Sequence, residues 1–446
     1  MENKKKYEIV CTGLNEYGLG EFRIGKDIYS ISNLLPKEKA IVEANDYQGI
    51  KKFKLVKLIK ESNLRSSVPC KVFGRCGNCN LLHMAYEDQI KLKYNYVQKA
   101  FNDNKLKIKI DDVFKASNLT EYRNKMQVAY RYYNKDLIYG FYEDDTHRVI
   151  PFDNCLAHTK EQNEIAKAVL KIMKELKLTP YDEDKRTGLI RFLIVRYAYR
   201  TKETLVTIVT NGKIFPARSE FVKRLRNSCP YITTIVQNIN TRKTSIILGD
   251  EEEVLYGKGY IEDILLGVKF NISSSTFYQV NSYQVEVLYN TVKNYLDLKG
   301  TETVIDAYCG VGTIGMILAS QAKEVIGVEQ NKKSVLNARD NAYHNKIKNI
   351  HFVIDDATNY LEERAKVNDK VDVLVMDPPR SGSTEVFLES VNKLAPNKVI
   401  YVSCEAKTLA RDLKILLKNY KVTRCGIVDM FVNSYHVETV CLLTKK

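Results

Sequence analysis

No stretch of the chain approaches the ~18 consecutive apolar residues of a membrane-spanning helix, which excludes that class of protein. The opening residues, MENKKKYEIV, carry charge but no apolar segment, so no signal peptide is expected and the cytoplasm is the expected compartment. Internal repeats are missing, as is a long low-complexity basic tail. Acidic residues are in deficit: Asp+Glu 54 against Lys+Arg 69 leaves a formal charge of +15. Disorder is excluded by a composition that is 44% hydrophobic and 28% charged. The 446 residues suggest roughly two to four domains.

The charge surplus speaks to partners rather than to fold. It is spread along the chain, with local runs at Lys4 to Lys6 and Lys51 to Lys60, and favours nucleic acid over a merely well-solvated basic surface. The ten cysteines point away from disulfides, since a reducing cytosol keeps thiols free. Three of them, Cys70, Cys76 and Cys79 in CKVFGRCGNC, must lie close together in space.

Residues 1 to about 60 read as a small all-β module, with short alternating runs separated by Gly, Asn and Pro turns. A helical pattern follows from Tyr86 to about Phe101, with Ile90, Tyr94 and Val97 on one face. From about 122 to 265, β-like runs such as LIRFLIVRYAY surround one helix near Glu161 to Lys177, an α+β middle domain. After about 275 the rhythm becomes strand, Gly-rich turn, helix, strand, through TVIDAYC, EVIGVE, HFVID, VDVLVMD and KVIYVS. That pattern predicts a doubly wound, mostly parallel sheet.

In VIDAYCGVGTIG, Gly310, Gly312 and Gly315 follow a strand and open a helix, so a ligand can approach the backbone. The spacing also matches a dinucleotide fingerprint, and Glu329 ends the next strand where both ribose hydroxyls could be held. Asp306, inside the strand end, and Asp356, at the end of the third strand and placed for an adenine amine, favour S-adenosylmethionine over NAD. Each carboxylate alone could merely cap a helix; three at successive strand ends suggest a cofactor rim. In VLVMDPPRSG two prolines stiffen the loop after Asp377, a candidate acceptor for substrate or cofactor, and Arg380 could meet a phosphate.

Cys404 lies at the strand-to-helix junction of YVSCEAKTLARDL, where the helix dipole is expected to favour thiolate. A lone cysteine is more often inert, but this one shares its sheet edge with Asp377 and the glycine turn. His436 and Glu438 precede a terminal apolar strand near the same edge. A thiol, a carboxylate and a methyl donor suit one chemistry. Carbon 5 of uracil becomes nucleophilic once a thiolate adds at carbon 6, and a base must later remove the carbon 5 proton. Cys404 and Glu438 fit those two roles.

The ordered set YRNK (Tyr122 to Lys125), FYQVN (Phe277 to Asn281), DAYCGVGT, DPPRSG, SC…TLARDL and HVETV resembles the bacterial RNA uracil-5-methyltransferases, in particular their 23S ribosomal RNA branch. The resemblance covers nearly the whole chain. It implies three parts: a TRAM (OB-like β-barrel) RNA-binding domain at 1–62, an iron–sulfur and central α+β RNA-binding domain at 63–270, and a Rossmann-like class I methyltransferase domain at 271–446. The helix near 86–110 is expected on the catalytic domain. Gln279, Tyr308, Thr313, Glu329, Asp356 and Asp377 are implied around S-adenosylmethionine, with Cys404 and Glu438 catalytic. A [4Fe–4S] cluster is implied on Cys70, Cys76, Cys79 and, from PFDNCLAH, Cys155; thiolates alone would also suit zinc. The implied partner is 23S ribosomal RNA, with no membrane, and the protein acting as a monomer.

The family motif usually reads Ser-Cys-Asn-Pro, whereas Glu405 and Ala406 follow Cys404 here. A carboxylate beside the thiol should raise its pKa, and Lys407 or Arg411 is expected to compensate. Val432 and Asn433 replace a common Pro-His pair, and Lys37 a usual glycine. The rivals are a tRNA T-loop uracil-5-methyltransferase, a cytosine-5-methyltransferase, and a catalytically silent RNA-binding or ribosome-assembly protein.

Overall fold

A computed structural model describes residues 5–47, 50–143 and 146–446; Lys4 of the first basic run lies outside them. Near the N-terminus, strands Lys5–Val10, Lys39–Tyr47 and Ile50–Lys60 form one antiparallel sheet. Gly13–Leu14, Gly20–Ile24 and Asp27–Ile31 form a second. Alternation in GEFRI turns Phe22 inward and Arg23 outward, and Phe22 packs with Ile9, Ile31, Leu34, Ala40 and Val42. Gly20 has no substitute there, since a Cβ would sit 2.4 Å from the Leu34 carbonyl oxygen.

Among the described residues, the middle unit is a seven-stranded sheet. Its strand order is Val149–Pro151, Asp136–Tyr142, Lys125–Tyr133, Ile190–Tyr197, Thr204–Thr210, Thr234–Ile239 and Glu251–Tyr256. Its one parallel pair, Thr204–Thr210 with Thr234–Ile239, is joined across helix Arg218–Ser228. Helix Lys160–Glu175 starts at Thr159, whose hydroxyl accepts from Gln162 N while the Gln162 side chain answers Thr159 N. This helix lays Ile165, Val169 and Met173 over Met126, Leu193 and Val206 of the sheet.

The third unit is an eight-stranded sheet in the order Ile350–Ile354, Glu324–Glu329, Thr303–Ala307, Val373–Met376, Lys398–Ser403, Glu438–Lys445, Tyr420–Val428, Asp112–Phe114. The first five strands are parallel; Glu438–Lys445 runs antiparallel to both neighbours. Strands buried on both faces must be apolar throughout, which is why VLVM reads as a continuous run.

Two pieces of this unit come from earlier in the chain. Asp112–Phe114 closes the sheet edge beside Tyr420–Val428. Helix Tyr86–Asp103 buries Val97, Ala100 and Phe101 against Leu409, Leu413 and Tyr401. The buried Lys93 ammonium binds Asp429 at 2.5 Å and the Phe431 carbonyl at 3.0 Å, and the Tyr86 hydroxyl donates to the other Asp429 oxygen. A division of the chain at residue 270 would cut through the strand Val268–Ile272. The hairpin of that strand with Ile261–Leu265 packs among Val285, Leu288 and Ile350 of the third unit.

Candidate active site

The antiparallel register of the last strand builds the centre of the site. Val402 faces Val440 and Ser403 faces Thr439, so the next step along both strands sets Cys404 opposite Glu438. The turn into helix Ala406–Leu416 is tied by Ser403, whose hydroxyl accepts from Glu405 N at 3.2 Å. Glu438 is 3% exposed, and burial, with the Asp377 charge added, pushes its carboxyl up to about 8. Burial likewise pushes Asp377 up to about 7.

These surroundings reverse one expectation. The Cys404 thiol is pushed up to about 11, by burial first and then by the charges of Glu438 and Asp377. The helix dipole does not overcome desolvation and two carboxylates, so the free protein holds a protonated thiol rather than a thiolate. Arg380, next after the two prolines, is the opposing charge and lies within hydrogen-bonding reach of the sulfur. Its Nη2 is 3.3 Å from the His436 ring. Burial, together with Arg380, Lys93 and Arg123, lowers His436 to about 4, so it is neutral.

Glu405 does not act on the thiol as expected. Its carboxylate accepts from Lys407 N at the helix start and from the Tyr96 hydroxyl, which lies on helix Tyr86–Asp103. Lys407 and Arg411 are engaged elsewhere: Lys407 pairs with Glu16 at 2.7 Å, while Arg411 binds Asp412 and the Ser381 carbonyl. Compensation at the sulfur therefore falls to Arg380.

Of the other expected residues, Tyr308, Glu329 and Asp356 lie at the carboxyl ends of parallel strands. Tyr308 follows strand Thr303–Ala307 with φ +62°, and its hydroxyl donates to Ser383 Oγ at 3.2 Å. Gly310 N donates to Glu329 Oε2 at 3.1 Å, drawing the glycine turn onto the end of the next strand. Asp356 does cap a helix, Ala357–Lys366, but its bonds from Thr358 N and Asn359 N both fall on Oδ1. Thr313 Oγ1 lies 3.1 Å from the Tyr289 hydroxyl. Gln279 sits in the segment before helix Ser282–Leu296, and its carbonyl accepts from Asn124 Nδ2 at 2.8 Å.

Two features of this edge suit a cationic ligand held close to backbone. Asp306 Oδ2 accepts from Gly315 N, while its Oδ1 is buried without a partner among the described residues, and burial pushes the carboxyl up to about 7. At Gly310, φ +56°, an added Cβ would meet nothing within 4 Å, so the space before the turn is open. Tyr289, 3% exposed, stands behind this group, its phenol pushed up by burial and by Asp377, Asp306 and Glu438. Sequence reasoning missed Tyr289, because nothing in a helical tyrosine distinguishes it.

A second centre lies apart from the parallel sheet. Cys70, Cys76, Cys79 and Cys155 line one cavity of about 220 Å³, with Phe73, Phe141 and Phe152 around it. Burial raises the Cys76, Cys79 and Cys155 thiols, the last two to about 12 and about 11, and the Arg123 charge opposes this at all three. The His158 ring bonds the Lys125 carbonyl through Nε2, leaving Nδ1 to accept from the Cys155 thiol at 3.1 Å. Among the described residues, no three His, Cys, Asp or Glu side chains converge closely enough for a single metal ion.

The chain resembles known proteins over nearly its whole length. The tRNA (Uracil-5-)-methyltransferase family description matches residues 85–446, starting at the helix that packs on the catalytic sheet. An uncharacterized RNA methyltransferase of Clostridium tetani is 35% identical over 449 residues, covering 100% of this chain and 97% of its own. One of Staphylococcus epidermidis is 39% identical over 399 residues, with 88% and 87% covered. The crystal structure of Pyrococcus abyssi tRNA (uracil-54, C5)-methyltransferase with S-adenosyl-L-homocysteine superposes with a TM-score of 0.79 at 24% identity. It covers 98% of this chain and 100% of that one, so the two share a fold. No helix among the described residues is long and apolar enough to cross a membrane. The chain belongs to the RNA uracil-5-methyltransferase family.

Proposed function

We propose that the protein methylates carbon 5 of a uridine in 23S ribosomal RNA. The observation that carries this reading is the register that sets Cys404 opposite Glu438, with Asp377 and Arg380 beside them at the end of the strand-edge rim. S-adenosylmethionine, when bound, supplies the methyl group. Gln279, Tyr308, Thr313, Glu329, Asp356 and Asp377 would hold it. The unpartnered Asp306 oxygen and the open space before Gly310 fit a cation lying against the turn.

Cys404, half-buried, releases its proton to solvent, and Arg380 holds the resulting thiolate. The sulfur then forms a bond to carbon 6 of the uracil, and carbon 5 gains the electron density to take the methyl group. Glu438, ionised, removes the carbon 5 proton; those electrons restore the 5,6 double bond and expel the Cys404 thiolate. Asp377 orients the base or the donor.

The four thiols that line one cavity, Cys70, Cys76, Cys79 and Cys155, would hold a [4Fe–4S] cluster in a structural rather than redox role. Anaerobically purified protein is expected to be brown and to contain about four irons per chain; iron-free protein would remove the cluster. The N-terminal pair of sheets, with exposed Lys6, Lys54 and Lys57, is the proposed TRAM domain gripping RNA.

A second reading, a tRNA substrate, is favoured by the Pyrococcus abyssi enzyme, which shares the layout of nearly the whole chain and is named for uracil 54 of tRNA. The test uses [5-³H]uridine transcripts of 23S ribosomal RNA and of an elongator tRNA, each incubated with protein and S-adenosylmethionine. Tritium release from the ribosomal transcript is expected, and none from a Cys404→Ala variant. Release only from the tRNA would transfer the reading to the second substrate, and release from neither would overturn it.

A further inference from the structure

A cavity of about 340 Å³, within the size range of small-ligand pockets, opens where the three parts of the chain meet. Tyr17 of the N-terminal sheets, Asn78 and Asn80 of the cysteine segment, Arg123, Tyr435 and His436 line it. Its aromatic wall is continuous. Tyr17, 48% exposed, stands edge to face against Tyr435 at 5.5 Å, and the Tyr435 and His436 ring centroids are 4.0 Å apart.

The polar wall is as distinctive. Asn78 commits one Nδ2 hydrogen to Cys76 Sγ and Asn80 one to the Gly77 carbonyl, which leaves each amide its carbonyl oxygen, an acceptor for N–H groups, and a second N–H. Arg123 supplies positive charge, and its buried Nε has no hydrogen-bond partner among the described residues. None of the described side chains lining the cavity is acidic. His436 forms the shared wall with the active site, since its ring touches Arg380, which in turn reaches Cys404.

We infer that this cavity is a nucleotide subsite: it takes the unstacked base of a nucleotide flanking the target uridine, stacked on Tyr17. The Asn78 and Asn80 oxygens accept its N–H groups, and Arg123 faces its phosphate. The inference rests on the proposed RNA reading and deepens it. Because the cysteine segment forms one wall, the subsite gives the four-thiol region a part in substrate binding without a part in the chemistry.

Binding of the two transcripts named above is measured by fluorescence anisotropy with the Cys404→Ala protein, which separates affinity from methyl transfer. Tyr17→Ala is expected to raise Kd for the bound transcript about 5- to 150-fold, the worth of one base stack, with the slope of log Kd against log salt unchanged. Tyr17→Phe should restore binding. Asn80→Ala, on the opposite wall, should weaken binding too, and the double variant should lose less than the product of the two effects, because both act on one base. Unchanged Kd for Tyr17→Ala, or fully multiplying effects in the double variant, would overturn the subsite. Tritium release by the unmutated enzyme reports separately: release with unchanged Kd removes the subsite alone, whereas the expected Kd changes without release remove the methylation reading and keep the subsite.

Discussion

The free protein should protect Cys404 from alkylation, in spite of its position at a helix start. With the thiol at about 11, the ionised fraction at pH 8 is about one in a thousand, against about one in four for an ordinary cysteine. Only the thiolate reacts, so iodoacetamide should modify Cys404 about two hundredfold more slowly than an unperturbed thiol at that pH. Its rate should rise about tenfold per pH unit from 7 to 10 without levelling. Peptide-resolved mass spectrometry reads Cys404 separately from the other nine cysteines. Two variants test the causes. Arg380→Met removes the opposing charge and should push the thiol higher. Glu438→Gln should accelerate alkylation only above about pH 8, because the native carboxyl carries its proton below that pH and has no charge to lose. A rate that levels off near pH 8.5, or a Glu438→Gln gain already present at pH 6, would refute the desolvation argument.

Glu438 also bears on stability. Its folded pKa of about 8 lies above the ordinary 4.5, so the folded state binds the extra proton and stability falls as pH rises between those values, by about 1.4 kcal/mol per unit. Glu438→Gln should flatten that part of the thermal-unfolding profile by about that slope; an unchanged slope would contradict the burial assigned to it. Lys93→Met leaves Asp429 buried and unpaired and should cost about 3–5 kcal/mol in chemical denaturation, with Lys93→Met/Asp429→Leu recovering most of the loss. A single-variant cost below about 1 kcal/mol would mean that the pair contributes as little as an exposed one. Glu405→Asn should leave the pH–rate profile of methylation superimposed on that of the native enzyme, because the Glu405 carboxylate faces Tyr96 and the helix start. A shift of half a pH unit or more, about 0.7 kcal/mol, would return Glu405 to the thiol.

The catalytic sheet was legible because parallel strands buried on both faces leave unbroken apolar runs, and because Gly310 and Gly312 occupy positive φ where the turn opens its helix. The strand Asp112–Phe114 was not, since three residues carry no period and its partner lies more than three hundred residues away. The packing of the hairpin Ile261–Leu265/Val268–Ile272, which spans residue 270, was hidden for a related reason: it continues the β rhythm of the middle unit but packs on helix Ser282–Leu296 and its neighbours. The protonated state of Cys404 was illegible because a helix start is visible in sequence, whereas desolvation and the approach of Asp377 and Glu438 exist only after folding. Arg380 was visible as a cation after two prolines, but not as the residue facing the sulfur.

The early helix and edge strand set an order for synthesis. Tyr86–Asp103 and Asp112–Phe114 leave the ribosome long before Arg424 and Asp429, the residues they finally bind, 312 and 336 positions from Asp112 and Lys93. At bacterial elongation rates of roughly 5–20 residues per second, that is a wait of roughly 15–60 s. During most of that interval the seven-stranded unit can complete itself, while Val97 and Phe101 wait for Tyr401, Leu409 and Leu413 to cover them. The nascent chain therefore carries an uncovered apolar helix until its last strands emerge, so the catalytic sheet is assembled only after translation is nearly finished.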